Sequence, residues 1–331
     1  MYRSCISGIG HHVPDRVVTN KELGAMLEVE DEFIVKLTGI QTRRWAENGE
    51  TVSNLSLQAS RKALDQAGIT PEEIGMIIFS SMGSDYQFPG GGCDLQHKLG
   101  IAGPPALDIR NACNGFVYGL SVADQYIKTG MYEHILLVGA EIQSTSLDLS
   151  PKGKNMSILF GDGAGAAVIS RSDSNERGIL NTQIYSDGQY VDRLIQEAPS
   201  PNDHPRLSKE LFDTERIYPF MDGRTVFKHA VTRFPEVILE ALEKEGLGLE
   251  DLDLIVPHQA NLRISEMVAR KLGVEKDMVF SNIERYGNTT SASIPIALSE
   301  AVEQGLVSDG KLICLAAFGA GFAWGSALIR W

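Results

Sequence analysis

Residues 105–128 read PALDIRNACNGFVYGLSVADQYIK. An apolar segment from Pro105 to Ile109 reaches a tight turn of small and polar residues, and a helix-spaced pattern opens almost at Cys113 and runs to Thr129. Strand, turn and helix in that order are the building unit of layered α/β proteins. The same alternation extends in both directions. The runs IGMIIFSS, HILLVGAEI, AAVIS, LDLIVP and KLICLAAF are apolar on both faces, which predicts strands buried between helical layers. Helical spacing is clearest from Leu55 to Ala67, Val226 to Glu245, Leu262 to Lys271 and Ser293 to Gln304.

From Arg171 to about Met221 the chain turns polar and rich in Ser, Asp, Asn and Pro, with APSPNDHPRLSK as its most loop-like stretch. This predicts a long surface excursion and a boundary near Arg171, giving halves of residues 1–171 and 172–331. The halves echo one another: CNGFVYGLSVAD in the first and GNTTSASIPIAL in the second each place small and polar residues where a helix opens.

With 43 acidic against 30 basic side chains the formal net charge is -13, which disfavours a general nucleic-acid binder, since that affinity is built from clustered cations on phosphates. The four cysteines, Cys5, Cys93, Cys113 and Cys314, are too scattered for a disulfide framework or a metal knuckle, and a reducing compartment fits them. No run approaches the roughly 18 apolar residues that a membrane span needs, and no signal-peptide pattern opens the chain, so a cytoplasmic protein is expected.

Cys113, at the mouth of a helix, would see unpaired N–H groups and the positive end of the dipole, which favours thiolate and nucleophilic catalysis. A small buried hydrophobe is the other reading, and it is the one taken for Cys5, Cys93 and Cys314. His258, in IVPHQANLRI, follows a strand end, where α/β proteins gather ligands; a structural and a catalytic histidine are both open there. Asn288, in RYGNTTSAS, reads as a helix cap or as an amide donor to an oxyanion. FGDGAGAAVIS runs into a strand rather than a helix, so its glycines predict close backbone packing instead of a phosphate cradle. Gly319, Ala320 and Gly321 in AAFGAGFAWG form either an exposed N–H anion site or a plain turn between strands.

Taken together, ACNGF, PHQANLRI, YGNTTSAS, FGDGAGAAV and FGAGFAWGSAL, with SGIGHHVPDRVVTN and DEFIVKLTGIQTRRW near the N-terminus, strongly resemble β-ketoacyl-acyl carrier protein synthase III, of the thiolase superfamily. The likeness spans essentially the whole chain. It implies a thiolase-like five-layer αβαβα fold made of two similar halves, a homodimer, and no metal or redox cofactor. Cys113 would take an acyl group from acyl-CoA. Malonyl-acyl carrier protein would then lose carbon dioxide and attack that group, with His258 and Asn288 donating hydrogen bonds to the thioester oxygen. The N–H groups of Cys113 and Ala320 would form the second oxyanion hole.

The resemblance also places Phe88 at the end of a partner subunit's acyl pocket. It places Lys228, Arg263, Arg270 and Lys271 at or near carrier-protein contacts, and Phe33, Lys36 and Lys154 at the CoA site. There the chain departs from the family pattern. Phe33 and Lys154 stand where well-known bacterial members stack the CoA adenine between Trp and Arg, Leu37 replaces an arginine, and Ala320 replaces a common glycine. A longer acyl-CoA or an acyl-carrier donor is therefore open. So are an acyltransferase with an alcohol or amine acceptor, a condensing enzyme of biotin-precursor or secondary metabolism, and a non-catalytic acyl-binding module. Lys36, Lys154, Lys228, Arg263, Arg270 and Lys271 are expected to form a local positive field around the tunnel mouth.

Overall fold

A computed structural model describes residues 2–174 and 176–331. In the first half, strands β1 (Arg3–His12), β4 (Met76–Ser80), β5 (Ala106–Ile109), β6 (His134–Glu141) and β7 (Gly163–Ser172) form one sheet, with β2 (Val17–Thr19) and β3 (Thr42–Arg44) as a separate ribbon. The helices are α1 (Asn20–Leu27), α2 (Asp31–Thr38), α3 (Val52–Ala67), α4 (Gly91–Leu99), α5 (Gly115–Lys128) and α6 (Lys154–Ser157). In the second half, β8 (Gly178–Ser186), β11 (Leu254–Pro257), β12 (Leu312–Gly319) and β13 (Ala323–Arg330) form the other large sheet. A ribbon of β9 (Leu194–Ile195) and β10 (Phe220–Met221) accompanies it, with helices α7 (Gly223–Lys244), α8 (Leu262–Leu272), α9 (Ile283–Tyr286) and α10 (Ser293–Glu303).

The two large sheets repeat one plan. In the first, β1, β7 and β6 run antiparallel to their neighbours, then β4 and β5 continue parallel to β6. In the second, β8, β13 and β12 alternate and β11 lies parallel to β12, while a parallel bridge from Ile255 to Val279 fills the fifth place.

Side-chain alternation explains why these strands read as continuous apolar runs. Met76 and Ile78 face inward with Ile135 and Leu137, whereas Ile77, Phe79, Leu136 and Val138 face outward against α3. In the second sheet Ile313, Leu315 and Ala317 face inward, and Leu312, Cys314, Ala316 and Phe318 pack against α7 and α8. Helices α5 and α10 fill the space between the sheets. The result is a thiolase-like αβαβα stack, in which each buried Leu, Ile or Phe contributes roughly 1.5–3 kcal/mol.

Two expectations are corrected. The polar excursion from Arg171 to Met221 contains β8, a full strand paired along β13. Its polar residues hid it: Asn181 Nδ2 donates to Ala241 O and Glu245, and Gln183 Oε1 accepts from Lys244 Nζ, so one polar atom of each amide is engaged by α7 and its end. Cys93 is exposed on this chain, whereas Cys5 is half-buried and Cys314 is buried. Among the described residues no helix is long and apolar enough to cross a membrane.

Candidate active site

Cys113 lies in a single 3-10 turn, Ala112–Asn114, which feeds directly into α5. Ala112 is held at φ 44°, a left-handed conformation that costs a non-glycine residue of order 1–3 kcal/mol and marks a turn fixed by its surroundings. Asn114 supplies part of that fixing by donating from Nδ2 to Ala323 O at 2.8 Å. The thiol is 8% exposed. Contrary to the helix-dipole expectation, burial pushes it up to about 12, with the nearby Glu141 carboxyl adding to the shift; desolvation outweighs the dipole. Cys113 is thus a thiol at rest.

The turn joining β12 and β13 closes over this cysteine. A Cβ placed on Gly319 would lie 2.6 Å from Cys113 Cβ and 3.1 Å from its Sγ, so only glycine permits the approach. The segment is a turn between strands, and Gly319 lies directly against Cys113.

His258 directly follows β11, pinned by its N–H to Ala316 O at 2.8 Å. The ring is 1% exposed, and burial pulls it down to about 3, so it is a neutral imidazole at working pH. Its Nδ1 meets Ser293 Oγ at 2.5 Å, while Nε2 is buried with no partner among the described residues. A buried polar atom left unpaired in this way is an unspent hydrogen-bonding position.

Asn288 acts as a cap. Its Oδ1 accepts from Thr290 N–H at 2.9 Å, an Asx-type cap of the turn, and this leaves Nδ2 as a donor with no acceptor among the described residues. Thr290 sits at φ 52°, a second strained position beside the site. The Asn288 backbone is clamped to the glycine motif: its N–H donates to Leu159 O at 2.8 Å and its carbonyl accepts from Gly161 N at 3.1 Å. A Cβ on Gly161 would strike Tyr286 O at 2.1 Å, so FGDGAG is the close-packing element that its spacing predicted. Beneath it, Arg43 is fully buried and donates to Ile158 O and Asn20 Oδ1. The Thr290–Ala292 and Ala112–Asn114 turns pack on each other, and the Ala112–Asn114 turn packs on β12, which brings the Cys113, His258 and Asn288 segments to one place.

The outlying residues are placed as follows. Lys36, Lys154, Lys228, Arg263, Arg270 and Lys271 are all exposed, and among the described residues none forms an ion pair. Asn261 Nδ2 donates to Leu37 O at 2.9 Å, tying the Lys36 segment to the start of α8, which carries Arg263, Arg270 and Lys271. Phe33 is 36% exposed on α2. Phe88 is 87% exposed at the tip of the loop before α4, so on this chain it projects outward and lines nothing of its own. A cavity of about 510 Å³ on the flank of α8 is bounded by Leu262, Glu266 and Lys276 and contains none of the three central residues.

Sequence reasoning missed Ser293 and Glu141. Ser293 stood inside the quoted GNTTSAS run. Glu141 closes the apolar run HILLVGAE, and a carboxyl at the end of a fully buried strand is itself a signal.

The chain matches two family profiles, the 3-oxoacyl-[acyl-carrier-protein] synthase III profile over residues 107–188 and the synthase III C-terminal profile over residues 242–331. It is 43% identical to the β-ketoacyl-[acyl-carrier-protein] synthase III of Salmonella typhi over 332 aligned residues, covering 100% of each chain. The crystal structure of the synthase III from Aquifex aeolicus superposes with a TM-score of 0.91 at 39% identity, covering 99% of this chain and 100% of that one. The priming β-ketosynthase of the R1128 polyketide pathway superposes with a TM-score of 0.89 at 36% identity, covering 99% and 96%. With full-length relatives and two matching family profiles, the chain belongs to the β-ketoacyl-acyl carrier protein synthase III family.

Proposed function

We propose that this protein condenses an acyl-CoA starter with malonyl-acyl carrier protein and so begins fatty-acid synthesis or a closely related chain. The observation that carries the reading is the set of polar atoms near a buried thiol: among the described residues His258 Nε2 is buried without a partner, Asn288 Nδ2 forms no hydrogen bond, and the turn at Gly319 lies against Cys113.

In the first step the Cys113 sulfur attacks the acyl carbonyl, its proton passes to the departing CoA sulfur, and the N–H groups of Cys113 and Ala320 hold the tetrahedral oxyanion. In the second, malonyl thioester loses carbon dioxide, and the electron pair of the broken bond delocalises onto the thioester oxygen. Neutral His258 and Asn288 stabilise that oxygen by donation, so no base is needed. The enolate carbon then attacks the acyl-cysteine and expels the Cys113 sulfur, which takes up a proton. Burial matters here because water would protonate the enolate before it attacked.

The fuller reading extends to the surroundings. Residues 1–171 form the half carrying the nucleophile, and 172–331 the half carrying His258 and Asn288; the repeated sheet plan supports this division. The outward-projecting Phe88 supports a homodimer in which each subunit's Phe88 ends the other's acyl pocket. Phe33, Lys36 and Lys154 receive CoA, while Lys228, Arg263, Arg270 and Lys271 receive the acidic carrier protein; the six cations form no ion pair among the described residues, which supports this. The chemistry needs no cofactor beyond the thioester substrates, and its substrates are those of the cytoplasm.

The test is to incubate the protein with a panel of acyl-CoA donors and follow intact mass, then add malonyl-acyl carrier protein with labelled carboxyl carbon. An acyl adduct on Cys113, followed by labelled carbon dioxide and a 3-oxoacyl product, is expected. No adduct with any donor overturns the covalent route. An adduct without decarboxylation assigns the acyl group to an alcohol or amine acceptor instead. Asn288→Ala should keep acylation and lower decarboxylation about 100- to 1,000-fold, the usual cost of one oxyanion donor.

A further inference from the structure

Behind Cys113 lies a carboxyl group that this two-step reaction does not use. Glu141, the last residue of β6, is 1% exposed. Met82 N–H donates to Oε1 at 3.1 Å and to Oε2 at 3.2 Å, Ser291 Oγ lies 3.0 Å from Oε1, and Ser81 Oγ lies 3.4 Å from Oε2.

Counting hydrogens decides its state. The single hydroxyl hydrogen of Ser291 faces two acceptors, Ser80 O at 2.9 Å and Glu141 Oε1. That of Ser81 is directed to Gly83 O at 2.5 Å, a far better contact than the one to Glu141. If both hydroxyls serve the backbone, an ionised Glu141 keeps only the backbone N–H groups of Met82 and Ser291 in a buried site, sparse compensation for a buried charge. If Glu141 carries a proton on Oε1, it donates to Ser291 Oγ, Ser291 donates to Ser80 O, and every contact is satisfied.

We propose that Glu141 serves the reaction as a protonated carboxylic acid, a positioning residue that ties the Ser80–Met82 strand end to the Asn288–Ser293 turn behind Cys113, and that losing this proton suppresses thiolate formation at Cys113. The proposal rests on Cys113 being the nucleophile, and its tests need no acyl donor.

Its electrostatic surroundings agree. Burial pushes the Glu141 carboxyl up to about 8, so it is neutral at ordinary pH and its charge appears only above that. The titratable group that feels this charge is the Cys113 thiol. Asp162, next to Glu141's strand partner Gly163, is turned to the N–H groups of Ala46, Gln143 and Ser144. His258 is neutral and held on Ser293, and among the described residues no cation pairs with Glu141.

Two measurements test the proposal on the whole protein. Infrared pH titration of the wild type should show a protonated-carboxyl band at neutral pH that disappears above about pH 8 and is missing from Glu141→Gln; no such band in the wild type overturns the proposal. Alkylation of Cys113 by iodoacetamide, read by mass on the peptide that carries Cys113 so that the exposed Cys93 does not count, should climb with pH in both proteins but flatten above about pH 8 only in the wild type. By about pH 9.5 Glu141→Gln should react about tenfold faster, one pKa unit of relieved repulsion. Parallel profiles overturn the proposal, as does loss of Cys113 reactivity at neutral pH in a folded Glu141→Gln protein. If that variant fails to fold, the wild-type infrared titration decides alone.

Discussion

Ser293 Oγ stands 2.5 Å from His258 Nδ1 and also accepts the N–H of Gln259 at 3.3 Å. Because its oxygen already accepts, the hydroxyl hydrogen is free to point at Nδ1. A neutral imidazole whose Nδ1 accepts carries its one hydrogen on Nε2, the buried atom left without a partner. We predict that Ser293 donates its hydrogen bond to Nδ1 and so selects the tautomer that can donate to a thioester oxygen. Ser293→Ala should lower decarboxylation by about tenfold to a hundredfold, less than removing the donor outright, while the acyl adduct still forms. Nitrogen NMR of labelled histidine checks the cause: the wild type should show Nε2–H alone, and the variant a mixture. An unmixed spectrum in the variant would refute the assignment.

His258 also predicts an acid limit to stability. In the unfolded chain the ring titrates near its ordinary value of 6.5, but in the fold burial holds it down to about 3. Between those values the unfolded state binds the extra proton, so stability is present above pH 6.5 and is lost as pH falls toward 3. The full loss is of the order of 5 kcal/mol. Urea midpoints should fall between pH 7 and pH 4.5 in the wild type, and fall less in His258→Gln, whose side chain does not titrate. Equal slopes in both proteins would remove His258 as the cause.

The candidate centre is legible in the sequence because small residues, a cysteine, a histidine and an asparagine sit at loop positions where close packing or chemistry explains them. The Cys113, His258 and Asn288 segments meet as expected. What composition and periodicity could not express is satisfaction between distant segments. Strand β8 was hidden because Asn181 and Gln183 find partners on α7, some 60 residues away. The state of the Cys113 thiol was misjudged because a helix N-terminus is visible in sequence, whereas the burial that outweighs it is a property of the packed whole. Ser293 and Glu141 escaped notice for the same reason, since each acts through a hydrogen bond to another part of the fold.

Carrier-protein docking should be separable from chemistry. Arg263 and Arg270 lie on α8, seven residues apart, exposed and free of ion pairs among the described residues. The double variant Arg263→Glu, Arg270→Glu should raise KM for malonyl-acyl carrier protein at least about tenfold, because like-charge contacts penalise an acidic partner. Acylation by acyl-CoA should hold. Added salt should weaken the wild type toward the variant, since exposed charges are screened within about 10 Å at 0.1 M. A variant whose KM is unchanged would place the carrier protein elsewhere on the surface.

Gly319→Ala tests how tightly the turn after β12 is fitted to the nucleophile. The added methyl would overlap Cys113 Cβ at 2.6 Å and crowd Asn114 Nδ2 at 3.3 Å, while Asn114 is itself fixed on Ala323 O. Neither neighbour is the free end of a flexible chain, so the turn must move away, and the Ala320 N–H moves with it. Overpacking of this kind costs about 1–3 kcal/mol of stability. Its larger effect should fall on acylation, since a displacement near 1 Å from reacting geometry can cost about a hundredfold in rate. The expected signature is a folded protein with a modestly lower Tm, a Cys113 that still reacts with iodoacetamide, and acylation by acyl-CoA slowed about a hundredfold. Acylation at the wild-type rate would show that the turn does not hold the oxyanion of the first step.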